Sequence, residues 1–438
     1  MFRQITQWQF TYVFKRGNTL AAMENWVSEP GRIGLVSTLA AMLLVAQTVA
    51  ANEEAPFLRQ GEAGFVVSHI EYALSYDTED ADKTGVCPDG MTQGYARLGD
   101  VFPHNPELQS RENETQEEYR KRVSAVAYDG SGIVNLCMNP EVGKPNPDFR
   151  TVDGAKRPVY GIDLDGKASS VDDQPATGQF SHDDFEGIHG ERGIDNQFYR
   201  VVGCSKSFQP SGQSNSFGIE MLTGSWGILI TLSGVDDMLN DDSVEVGIHA
   251  NADPIQLSPA RKPLEYATYA IKQDPRYRAK TRGRLVNGLL TTDPVDVRFP
   301  SITGGLQNDR PLRDAQLHMT LSENGVLDGY LAGYAPVEEM YSLQYAFRHG
   351  KDSTGKLAPL RSRAGKSIGQ AQVLGHTCEG AYYALHQHAD GHPDPETGKY
   401  TSISTQYIIQ AIPAFVVDVA TESINGDLDN NAGYSNGY

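Results

Sequence analysis

Cysteine is scarce in this chain: there are four, Cys87, Cys137, Cys204 and Cys378, and none stands at CxxC spacing. That excludes a thioredoxin-type redox motif and a zinc ribbon. No HExxH and no GxGxxG occurs, which removes a zincin site and a dinucleotide fingerprint. Gly365-Lys366-Ser367 copies the end of a Walker loop, but Leu360 stands where the first glycine belongs. No hydrolase elbow is expected. Basic residues are few, 37 against 56 acidic, for a net charge of −19. A body this acidic repels phosphate backbones, so no nucleic acid is expected as partner. No repeat of 20–50 residues runs through the chain. After Val49 no apolar run is long enough to cross a bilayer.

The one apolar run that does occur is Gly34 to Val49, GLVSTLAAMLLVAQTV, with Arg32 just before it. Its length suits the core of a secretory signal and falls short of a membrane span. Val49 and Ala51, or Thr48 and Ala50, supply small residues for cleavage, followed by the polar Asn52-Glu53-Glu54. Residues 1–51 therefore read as a signal peptide, with the mature chain starting at Ala51 or Asn52. Met23 would give a shorter lead-in of more usual length. The expected location is periplasmic or secreted, with no membrane span once the signal is removed. An even cysteine count in an exported chain reads as two disulfides. Cys87 and Cys137 both lie in loop-like contexts, VCPDG and LCMNP. The expected pairing is Cys87–Cys137 and Cys204–Cys378.

The densest chemistry lies in Phe180 to Cys204, FSHDDFEGIHGERGIDNQFYRVVGC. Hard cations take several oxygen ligands from carboxylates and from carbonyls exposed in irregular turns. Asp183, Asp184, Asp195 and Asn196 are the right residue types, and Gly187, Gly190 and Gly193 permit tight turns. Calcium is the cofactor expected there. The plainer reading makes Asp195 and Asn196 turn braces. Upstream, Tyr160 to Gly166 (YGIDLDG) opens like a calcium loop at Asp163, Asp165 and Gly166, without the later ligands of an EF-hand.

Gly193-Ile194-Asp195-Asn196-Gln197, followed by the aromatic pair Phe198-Tyr199, Cys204, a strand and VDDMLNDDSVEV, resembles a group of exported bacterial proteins with no assigned activity. The resemblance covers roughly residues 180–335. It implies export and a β-rich body, and carries over no catalytic residue.

Periodicity gives the fold class. Gly64 to Tyr72 reads as a first strand and Thr115 to Val126 as a helix capped by its threonine. From Phe217 onward apolar residues alternate: Trp226, Ile228, Ile230, Leu232, then Val244, Val246, Ile248, then Val295, Val297, Phe299. Leu317, Met319 and Leu321 precede a hairpin turn at Ser322-Glu323-Asn324-Gly325. Half-buried strands joined by turns predict a mainly β protein, an antiparallel β-sandwich of jelly-roll or lectin-like type. Residues 335–350 read as a helix, and 367–389 as helix broken near Gly375 and Gly380. The expected division is a signal peptide at 1–51 and an irregular disulfide-containing region at 52–215. A sandwich core at 216–335, a helix-strand extension at 336–420 and a disordered tail at 421–438 complete it.

Two further clusters compete as sites. Asp236, Asp237, Asn240, Asp241 and Asp242 crowd a turn between strands, where a solvated acidic loop is the plainer reading. His386, His388 and His392, with His376 and Asp390, offer imidazoles for zinc or copper, but Gly391 separates them. The functional expectation is an exported binding or structural protein stabilised by calcium, its partner a glycan or another cell-envelope component. The alternative is a secreted polysaccharide hydrolase or lyase with a carboxylate pair on the sandwich face.

Overall fold

A computed structural model describes residues 57–74, 106, 109–128, 135–152, 158–170, 183–208, 216–224, 226–374 and 377–419. The expected signal peptide, Cys87, His376 and the tail from 421 lie outside the described residues. In chain order the strands are β1 (Leu58–Arg59), β2 (Glu62–Tyr72), β3 (Phe185–Glu186), β4 (Arg192–Ile194), β5 (Ile228–Ser233), β6 (Asn240–Ala250), β7 (Thr268–Ala270) and β8 (Arg278–Val286). They continue as β9 (Leu289–Thr292), β10 (Val295–Thr303), β11 (Leu306–Leu321), β12 (Leu327–Pro336), β13 (Gly391–Pro393), β14 (Tyr400–Pro413) and β15 (Phe415–Val417).

Eleven strands form one large antiparallel sheet. Within it β2, β5, β6, β8, β9, β11, β12 and β14 pair one after another, and β14 pairs back onto β2. The eight therefore close into an up-and-down ring. At the seam Phe65 and Val66 are paired on both sides, to Ile230 and Leu229 of β5 and to Pro413 and Ile412 of β14. The sandwich expected from the sequence is not confirmed; the mainly β, antiparallel character is. The ring also takes strands from three of the expected segments, since β2 comes from the region read as irregular and β14 from the C-terminal extension.

Alternation makes the ring stable. Register sets Ile230 opposite Ile248, Leu232 opposite Val246, and Leu317 opposite Leu331, all buried. Eight strands leave an interior just wide enough for such side chains to fill. Truncating one of them, Ile248→Ala, would cost about 2–5 kcal/mol. On β8 the alternate positions Lys280, Arg282 and Arg284 are not buried. Apolar inside and charged outside is the reverse of strands that face lipid.

Helices cover parts of the ring. The expected helix over 115–126 is observed at Gln116–Tyr128. Thr115 and Glu118 cap it reciprocally: the Thr115 N–H donates to the Glu118 carboxylate at 2.9 Å, and the Glu118 N–H donates to Thr115 Oγ1 at 3.3 Å. Residues 367–389 do divide, into helices Leu360–Leu374 and Cys378–Gln387, the second capped by Thr377. The single helix expected over 335–350 is shorter. It runs Val337–Tyr341, widens to a π-helical turn at Ser342–Ala346, and stops at Phe347 with a φ of 52°.

The expected disulfide pairing is overturned. Cys137 bonds Cys378, a separation of 241 residues. Cys204 is also disulfide-bonded, so Cys378 is not its partner. Loop context had placed Cys137 with Cys87, but context carries no information on distance. Tertiary packing instead seats Cys137, wholly buried, against the helix that begins at Cys378.

Candidate functional site

The outer face of β12 and β14 carries the polar knot. Outward-facing Ala332 and Tyr334 of β12 pack against Ile162 and Leu164 of the 158–170 segment. On β14, Gln406 binds that segment from below: the Ile162 N–H donates to Gln406 Oε1 at 2.7 Å, and Gln406 Nε2 donates back to the Ile162 carbonyl at 2.7 Å. Gln406 Nε2 also donates to the Asp195 carbonyl. One buried amide thus holds two segments that are far apart in sequence.

Those segments bring three carboxylates together. Oxygen atoms of Asp163, Asp165 and Asp195 all lie within 4.8 Å of one another. Two oxygens bound to one calcium ion at about 2.4 Å cannot lie farther apart than about 4.8 Å, so the spacing fits. Asp163 and Asp165 sit on a tight turn that they brace themselves. Gly166 N–H donates to Asp163 at 2.6 Å, and Lys167 N–H donates to Asp165 at 2.8 Å. Asp195 is buried, and its Oδ2 accepts from the Leu164 N–H at 2.6 Å. Gly193 has a φ of +81°, and a Cβ there would meet the Lys167 carbonyl at 2.7 Å and Asp163 Oδ2 at 3.2 Å. Glycine is what lets the hairpin of β3 and β4 approach the acidic turn.

Asp184 and Asp390 extend the group. Asp184 Oδ2 accepts from the Ser169 N–H, and Asp390 Oδ1 accepts from the Ser404 N–H at 2.7 Å. Burial raises the Asp195 carboxyl to about 9, helped by the charges of Asp390 and Asp184. Burial also raises Asp184 to about 6 and Asp390 to about 7. In both, other carboxylates push the same way. The Tyr334 hydroxyl is pushed well up by burial, then by Asp195 and Asp390. These groups resist carrying negative charge together, and a divalent cation removes that resistance.

The expected ligand set is therefore only partly the one assembled. Asp195 stays in it. Asp163 and Asp165 join it from the turn that sequence reasoning had read separately. Asn196 is occupied otherwise: its oxygen accepts from the Tyr199 N–H at 3.4 Å as the cap of helix Gln197–Val202, and its amide donates to the Ala73 carbonyl at 2.6 Å. Asp184 stands beside the trio, and Asp183 offers its backbone carbonyl to Arg200. Asp390 had been noted only as a neighbour of histidines. Tyr334 gave no signal at all, because its role comes from cross-strand placement.

The other sequence candidates resolve into structure. In the acidic loop, Asp241 accepts from the Asp236 and Ser243 N–H groups, Asp237 from Leu239, and Asn240 from Asn287. The histidines separate. His386 pairs with Glu338 at 3.0 Å and His392 with Asp314 at 3.1 Å, while His388 ends its helix. Gly365-Lys366-Ser367-Ile368-Gly369 does meet G-x-S-x-G spacing. It lies inside helix Leu360–Leu374, however, with Ser367 wholly buried and donating to the Ala364 carbonyl at 2.8 Å. A nucleophile elbow needs a sharp strand-to-helix turn and an exposed hydroxyl.

No family model, no curated protein and no solved structure matches this chain.

Proposed function

We propose that this chain is an exported binding protein, a closed β-ring whose outer acidic site takes a calcium ion. The observation that carries the reading is the convergence of Asp163, Asp165 and Asp195 on one group of oxygens, with Asp195 buried. Calcium suits carboxylates set on irregular turns better than magnesium, which demands stricter geometry and keeps its waters. The Cys137–Cys378 disulfide is consistent with an oxidising compartment. Calcium calorimetry tests the reading. Wild type binds saturably, Asp195→Asn and Asp163→Asn lose the heat, and magnesium gives less. Equal heats in wild type and both variants would remove the site.

A second reading rests on Asp390 and Asp195, two carboxyls raised to about 7 and 9. Raised carboxyls are what a general acid in a polysaccharide hydrolase or lyase requires. Product release from a polysaccharide panel, lost in Asp390→Asn, would establish it. A panel with no product leaves the binding reading alone.

A further inference from the structure

After Pro413 the chain leaves the ring, and β15 lies over the outer face of β2 beside β7. Its residues alternate. Val416 points at β2, where a Cβ on Gly64 would lie 2.9 Å from its Cγ2, and Asp418 pairs with Arg278 at the start of β8. Val417 and Val419 are exposed. The even-numbered residues of this segment thus face the ring.

β8 is where basic charge gathers. Arg276 to Arg284 holds Arg276, Arg278, Lys280, Arg282 and Arg284 and no acidic residue, in a chain of net charge −19. From Arg278 onward these stand at alternate positions and share the outer face of the strand. Lys280 pairs with Glu245 at 2.6 Å, and Arg284 donates to the Thr291 hydroxyl at 3.3 Å. Among the described residues, the Arg282 guanidinium has no ion pair and no hydrogen-bond partner. A groove leads to it from the end of β15. Asp418, Ser233, Glu245 and Lys280 line a cleft of about 360 Å³, and a second, of about 470 Å³, shares Ser233, Glu245 and Lys280 and reaches Arg282.

The chain carries an occupant for this row. Residues 420–438, read from sequence as a disordered tail, lie outside the described residues. From Asp418 onward the sequence holds Asp418, Glu422, Asp427 and Asp429 and no Lys or Arg. Asp418 to Glu422 covers as many residues as Arg278 to Arg282, about 13 Å in extended chain. Glu422 also keeps the ring-facing alternation of Asp418. Exposed ion pairs are weak by themselves, and the far end of the row offers more. Leu239 and Val286 are 59% and 49% exposed and flank one turn, where a Cβ on Gly288 would lie 3.6 Å from Leu239 Cδ2. The tail brings Ile424 and Leu428 just past Glu422, and covering such groups from water is favourable. An acidic partner arriving from solution is repelled by the rest of this acidic body. The tail is already attached, which holds its local concentration at about the millimolar level.

We infer that residues 420–429 dock along the outer face of β8, with Glu422 against Arg282 and with Ile424 and Leu428 over Val286 and Leu239. The chain thereby covers its own basic row, independently of the acidic site on β12 and β14. Carbodiimide cross-linking of the full chain, mapped by mass spectrometry, tests this, because it joins a carboxylate to an amine in contact with it. The Lys280–Glu245 link, fixed by strand register, is the internal control. Lys280 should also be joined to Glu422 within one molecule, and Arg282→Lys should add a link from position 282 to Glu422. Both tail links should fall about threefold or more in about 1 M salt, which cuts the reach of exposed charges to about 3 Å. They should fall similarly in Leu239→Ser, whose melting temperature stays that of wild type because the side chain is exposed. The control link alone, in wild type and in Arg282→Lys alike, would overturn the docking. So would tail links confined to cross-linked dimers, which place the tail on a second copy. Tail links undiminished by both salt and Leu239→Ser would overturn it as well, since they report chance collisions of an undocked tail.

Discussion

Gln406 and Ile162 exchange a closed pair of hydrogen bonds, both 2.7 Å, between a strand of the ring and the turn that carries Asp163 and Asp165. The side-chain amide acts there as one more residue of backbone. Gly161 makes the approach feasible, since a Cβ at that position would lie 2.5 Å from Gln406 Oε1. Gln406→Ala should therefore destabilise the protein by about 3 kcal/mol, from buried backbone groups left unpaired. It should also weaken calcium binding, though it removes no ligand. Chemical denaturation and calcium calorimetry on the variant check both effects. A variant as stable as wild type would mean the two segments hold each other without the strand.

Asp195 gives a prediction in which two effects oppose. Its folded carboxyl is raised to about 9 from an ordinary 3.8. Without a cation, this residue's contribution is most favourable below pH 3.8, where folded and unfolded forms are both protonated. It declines as pH rises toward 9, because the unfolded chain ionises first. Asp195→Asn escapes that decline. At pH 7 without metal the variant should be more stable than wild type, by roughly 1–3 kcal/mol. With excess calcium the order should reverse, since only wild type gains from the ion. Melting curves of both proteins with calcium and with chelator check the crossing. A variant less stable under every condition would make Asp195 a structural brace alone.

Calcium binding should also release protons. Asp195 and Asp390, raised to about 9 and 7, hold protons near neutrality that a cation must displace. Binding heats at pH 7 should then change with the ionisation enthalpy of the buffer, by the equivalent of about one to two protons. Heats that are the same in phosphate-free buffers of low and high ionisation enthalpy would count against displacement.

Glu379 supplies an independent pH effect. It is wholly buried near the start of helix Cys378–Gln387, and neither carboxyl oxygen has a hydrogen-bond partner among the described residues. Burial raises it to about 7. Below pH 4.5 both states carry the proton and no penalty arises. Between 4.5 and 7 the unfolded chain loses its proton first, so this residue's contribution falls as pH rises. Above 7 the loss is complete, on the order of 3 kcal/mol at most. Glu379→Gln should gain on wild type across that window and level off above it. Melting temperatures from pH 4 to 8 check this, and a constant difference would show that Glu379 does not titrate there.

Peptide mapping without reductant should recover Cys137 joined to Cys378. Replacing both with serine should cost up to about 5 kcal/mol, because the bond closes a long loop in the unfolded chain. Recovery of Cys137 joined to Cys87 would contradict the packing.

What could be read from the sequence was local. Alternation at Ile228, Ile230 and Leu232, the turn at Ser322 to Gly325, and the Thr115 cap each depend on neighbours a few residues away, and each is found as expected. Trp226 was rightly placed in the interior. Ring closure has no such signature: Ile70 and Ile409 are ordinary strand residues, and only their pairing makes them a seam. Likewise Asp163 and Asp195 carried separate weak signals, and the bonds of Gln406 are what bring them to one place. The cysteines erred for the same reason.

The seam between β2 and β14 also sets the order in which the molecule can be finished. Its two strands are the earliest and latest members of the ring, so their contact has nearly the greatest sequence separation the ring allows. Contacts of that kind form late and slowly, since a long loop must close first. Until β14 arrives, β2 and β12 each present an unpaired edge, and open edges recruit other chains. A chain shortened before Tyr400 would keep most of its strands and still be left permanently in that adhesive intermediate.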